Sequence, residues 1–69
     1  MDERKIIEAV KRFIESKYGE SEVEVSRIYG RGDVSEVAGR FRVKGDTKWR
    51  RFTFLIDSKD YSVKGFGLR

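Results

Sequence analysis

The 69-residue chain predicts an α+β fold, in which one N-terminal helix packs on the concave face of a curved four-stranded antiparallel meander. Three observations carry this. Apolar residues recur every three to four positions up to Tyr18 and every second position after Gly19. The period-two pattern is cut into four runs by turn-forming clusters. It also slips parity twice, and one extra residue, a β-bulge, restores the face each time.

The helix is expected over about residues 2–18. Asp2 can cap it, and Glu3 suits the positive end of its dipole. Ile6, Ile7, Val10, Phe13, Ile14 and Tyr18 form one stripe, and Arg4, Glu8, Lys11, Arg12 and Glu15 lie opposite. Glu8–Arg12 and Lys11–Glu15 are spaced for ion pairs along the helix. Gly19 is the expected left-handed stop.

Strands are expected at about 22–29, 34–44, 49–57 and 61–68. In the first, Val23 and Val25 face the core, and a bulge near Ser26–Arg27 returns Ile28 to it. Gly30-Arg31-Gly32-Asp33 reads as a turn. The second strand turns Ser35, Val37, Gly39, Phe41 and Val43 inward. Gly45-Asp46-Thr47-Lys48 then acts as a four-residue loop, which sets Phe41 against Phe52, Gly39 against Phe54 and Val37 against Ile56. In the fourth strand Tyr61 and Val63 face inward, and a bulge near Lys64–Gly65 brings Phe66 and Leu68 round. Charge supports the first pairing: Glu24 would face Arg40, Glu22 Arg42, and Arg27 Glu36. The sheet order is then 1-2-3-4, in one domain over residues 1–69.

Composition excludes several functions. With no Cys and no His, no disulfide, thiolate nucleophile, imidazole base or Cys/His zinc site can form. The serines have no histidine to activate them, and Asp57 and Asp60 bracket a turn without a further ligand or nucleophile. The expectation is a non-enzyme with no cofactor and no metal. No apolar run approaches a membrane span, and MDERK does not open a signal peptide, so a soluble, cytoplasmic protein is expected. Pro, Asn and Gln are absent too. Such a restricted alphabet marks hyperthermophile proteins and designed ones.

The bulges, the mid-strand Gly39, the paired charges and the short residue list resemble de novo designed curved-sheet proteins, which bend their sheets in this way. One helix held in a curved four-stranded meander also resembles the cystatin-like arrangement. Neither a Gln-containing first-hairpin motif nor a Pro-Trp pair is present, so protease inhibition does not carry over. The designed-protein resemblance implies a thermostable structural scaffold with no evolved ligand, and this is the leading expectation.

Two alternatives rest on the residues. The net charge is +4, with 12 acids among 16 bases, and on the outer sheet face Arg40, Arg42, Lys44, Trp49, Arg51 and Lys64 could serve a small nucleic-acid-binding protein of thermophilic origin, combining cations with a stacking aromatic. The competing role for Trp49 is to cover Gly67 or Arg69. Arg31, Gly32 and Asp33 spell an integrin-type tripeptide at a hairpin tip, a third reading. Tyr29, Val34, Ala38, Leu55 and Trp49 on the outer face could support a homodimer, although no partner is required.

Overall fold

The computed structural model describes residues 2–69. Helix α1 (Glu3–Tyr18) precedes strands β1 (Ser21–Arg31), β2 (Val34–Val43), β3 (Arg50–Asp57) and β4 (Val63–Leu68). The strands form one curved antiparallel sheet in the order β1-β2-β3-β4, so the α+β meander is as expected.

The helix starts where an unpaired amide finds a carboxylate. Asp2 Oδ1 accepts the Arg4 amide at 3.0 Å, which satisfies one of the first-turn donors. Gly19 donates to the Glu15 carbonyl at 2.9 Å. Its φ of 92° is positive as expected, but its ψ of −169° sends the chain straight into β1 rather than through the left-handed helical region. Ile6, Val10 and Ile14 are fully buried against the sheet, and Phe13 and Tyr18 flank them. The Phe13 ring meets Phe54 edge-on at 5.3 Å, and Tyr18 lies 5.1 Å from Phe41. The Glu8–Arg12 and Lys11–Glu15 ion pairs do not close among the described residues. Such exposed pairs gain little against side-chain entropy.

The sheet half of the core is Val37, Phe41, Phe52, Phe54 and Ile56, all buried. Alternation predicts Val37 and Phe41 inward, and the cross-strand pairing predicts Phe52, Phe54 and Ile56 on the same face. Both bulges also fall where parity asks. Ser26 is the extra residue between the pairs Val25–Gly39 and Arg27–Ala38. Lys64 is the extra residue between Leu55–Gly65 and Ile56–Val63.

Register is where the structure departs from expectation. Gly39 faces Phe52, Val37 faces Phe54 and Ser35 faces Ile56. This is a shift of two residues from the pairing expected for a four-residue loop. A two-residue shift keeps every side chain on its face, so alternation could not detect it. The connection runs from Lys44 to Trp49, because Asp46 and Trp49 are used in shaping it. Asp46 Oδ1 accepts the Lys48 amide at 3.2 Å, and Trp49 leaves the strand to lie over β2, so β3 begins at Arg50 instead of 49. The shift also sets Phe52 over Gly39. A Cβ on that glycine would stand 2.8 Å from Phe52 Cζ and 3.0 Å from Val25 Cα, so only glycine admits the ring.

Two turns are tighter or longer than expected. Arg31 pairs with Val34, so β1 runs past 29 to Arg31 and the hairpin closes on Gly32-Asp33 alone. Gly32 has φ 63° and no positive φ is found at Asp33. This is the type II′ pattern, whose twist matches the strands and which takes glycine first. The β3–β4 turn extends to Ser62, so β4 begins at Val63 instead of 61. Asp57 Oδ1 accepts the amides of Lys59 at 2.8 Å and Asp60 at 3.1 Å. Tyr61 therefore sits in the turn with φ 61°, although its ring still packs against the core. Phe66 reaches the core, whereas Leu68, at the sheet end, stays exposed.

Candidate functional site

The outer face is a grid of four strands, and the observed register sets its neighbours. Two of the expected charge pairs form. Arg40 Nε bonds Glu24 Oε1 at 2.7 Å, and Arg42 Nη2 bonds Glu22 Oε1 at 2.6 Å. The third does not. The bulge at Ser26 puts Arg27 opposite Ala38 and Tyr29 opposite Glu36. Glu36 is instead bound by Arg31 at 2.9 Å, across the hairpin end.

Trp49 lies among the cations, as the nucleic-acid reading requires, but its ring is already occupied. The Arg40 guanidinium stands 4.3 Å from the ring centroid and that of Arg42 4.8 Å. Each guanidinium is thus shared between an indole face and a glutamate, an arrangement suited to its planar, weakly hydrated charge. Trp49 does not cover Gly67, where an added Cβ would have nothing within 4 Å. The other cations named for this face divide. Lys44 reaches Glu20 at 3.2 Å and Lys64 reaches Asp57 at 3.8 Å. Arg51 has no ion-pair partner among the described residues.

Arg51 instead belongs to a row of like charges. It faces Arg40 across the β2–β3 ladder, and on its other side it accepts the Arg69 amide at 3.0 Å. Beside that row run Ala38, Thr53 and Gly67 in register. Ala38 and Thr53 line a depression of about 450 Å³, bordered by Arg27, Tyr29, Arg40, Arg51 and Arg69. Sequence reasoning missed Arg27, Tyr29, Thr53 and Arg69 as one group. The doubled outward residues at the Ser26 bulge were the available signal.

The tripeptide Arg31-Gly32-Asp33 is exposed at the hairpin tip. Its arginine closes β1 and is tied to Glu36, and its aspartate carbonyl accepts the Ser58 amide at 2.8 Å. Asp57 and Asp60 are turn-builders. The Ser62 side chain and amide hold the Asp60 carboxyl below its ordinary range. No three carboxylates converge as a metal site among the described residues. No described helix is long and apolar enough to cross a membrane. A second depression lies between the helix and the start of β4, lined by Ala9, Phe13, Tyr61 and Val63. No family model, curated protein or solved structure matches the chain.

Proposed function

We propose that the protein is a non-enzymatic structural scaffold of the designed curved-sheet type. The observation that supports this is the Trp49 cluster. Arg40 and Arg42 cover the ring and are themselves held by Glu24 and Glu22. A stacking platform for single-stranded nucleic acid offers a bare aromatic face, whereas two guanidiniums of this chain already stand over this ring. Its role on this reading is to lock the β2–β3 loop onto the sheet and fix the register.

The test separates stability from binding. Trp49→Ala should lower unfolding stability by about 1–2 kcal/mol in urea titrations, since two cation–π contacts and the indole packing are lost. Indole emission of the parent should not respond to a single-stranded oligonucleotide at low or high salt. Strong quenching with a steep salt dependence would support the nucleic-acid alternative instead. The integrin reading gains nothing from a tight turn whose arginine is paired, and Asp33→Glu should leave cell adhesion unchanged.

A further inference from the structure

We infer that the depression floored by Ala38 and Thr53 binds a compact polyphosphate anion, held by Arg27, Arg51 and Arg69. This goes beyond the scaffold reading and stands on different residues from the Trp49 cluster. Like charges directly opposite on a ladder work against the fold, yet Arg40 faces Arg51, and Arg51 is joined to Arg69. Among the described residues only Arg40 of that row pairs with a side-chain carboxylate, Glu24 at 2.7 Å. Arg51 and Arg69 are both exposed, so neither charge is held by burial in the core.

The geometry of the floor points the same way. Ala38 and Thr53 are small, and the space over neighbouring Gly67 is open. An anion can therefore lie low against the sheet, between cations rather than above them. The Ser26 bulge contributes Arg27 to the opposite wall, where its guanidinium donates to the Tyr29 hydroxyl at 3.1 Å. Planar guanidinium forks match phosphate oxygens two at a time. The hydroxyls of Thr53 and Tyr29 supply neutral donors. Glu36, the acid on the rim, is engaged by Arg31 at 2.9 Å. The aromatic rings nearest the floor are engaged by arginine, Tyr29 on the rim by Arg27 and Trp49 beyond it by two guanidiniums. Phosphate groups alone, closely linked, fit what is offered.

The probe is inorganic tripolyphosphate, titrated calorimetrically into the full chain at low ionic strength (~20 mM). Amide shifts in a parallel ¹⁵N titration should cluster on Ala38 and Thr53, with the Trp49 indole signal still. Arg51→Gln combined with Arg69→Gln should weaken binding at least about tenfold, as expected when two charge-assisted contacts are lost. Lys11→Gln combined with Lys17→Gln removes the same charge from the helix and should weaken it less than about threefold. Both double variants change exposed side chains, and circular dichroism checks that each is folded. No binding by the parent, equal losses in the two variants, or shifts centred on Trp49 would each overturn the assignment. So would tighter binding of a single-stranded oligonucleotide than of tripolyphosphate. Absent binding or equal losses leave the Trp49→Ala stability test untouched and so sink this inference alone, whereas oligonucleotide binding or shifts at Trp49 count against the scaffold reading as well.

Discussion

At the scale of single residues, Gly39 and Asp60 show how much one position can carry. Gly39 lies where the Phe52 ring folds across β2, and a methyl there would collide with the Glu24 carbonyl oxygen as well as the ring. Gly39→Ala should cost about 3 kcal/mol, the upper end for overpacking a closed core, read as a lower urea midpoint at unchanged slope. Asp60 acts through its charge. Its carboxyl is held low in the folded chain by the Ser62 side chain and amide, so the unfolded chain takes up the proton first. The stability this adds is complete above the unfolded value and is lost as pH falls through the lowered folded one. Asp60→Asn should therefore be the less stable protein near neutrality, by an amount independent of pH there. The gap should close as the pH drops below the usual carboxylate range, measured by unfolding midpoints across pH.

At the scale of elements, the bulges make the pattern of β1 and β4 consistent with one core. Ser26 holds Val25 and Ile28 on the same face although they are three residues apart. Deleting Ser26 leaves two solutions, each costly. Either Ile28 turns to solvent, or the first half of β1 flips and sends Val23 and Val25 outward with Glu22 and Glu24 inward. The shortened chain should lose cooperative unfolding, seen as a broad thermal transition and collapsed amide dispersion. The β2–β3 connection works differently. It sets register through the Asp46 turn and the Trp49 cluster, which matters because neither hydrophobic face distinguishes registers two residues apart. The β1–β2 hairpin needs no such device, since Gly32-Asp33 closes it directly.

At the scale of the whole molecule, charge is unevenly compensated. Acids on β1 neutralise the cations at one end of the sheet, while Arg51 and Arg69 stand open beside the small-residue floor. Arg51→Glu would set a carboxylate between Arg40 and Arg69. It should raise stability by a few tenths of a kcal/mol, on the order of 0.5, and abolish tripolyphosphate binding. A fall in stability with binding retained would mean that Arg51 is a structural cation. The open arginines also bear on self-association. Any homodimer formed face to face through the outer sheet must bring this row near its own copy, an arrangement that salt or a bound polyanion would ease.

The sequence by itself determined the elements, the faces and the bulges. Each follows from local periodicity, and the absence of Cys and His removes thiolate, imidazole and Cys/His zinc chemistry without any coordinates. Pairs close to a forced break in parity were legible too: Glu22 and Glu24 find Arg42 and Arg40 because one side of the bulge is fixed by Val23 and Val25. The tertiary structure alone decided the β2–β3 register and hence the candidate site. In the pairing expected for a four-residue loop, Arg40 would have faced Thr53; in the structure it faces Arg51, and Thr53 joins Ala38 on an open floor. The physical reason is that alternation has a period of two and is blind to shifts of two. The contacts that choose between them, Phe52 over Gly39 and Trp49 against two guanidiniums, join residues that become neighbours only once the sheet has formed.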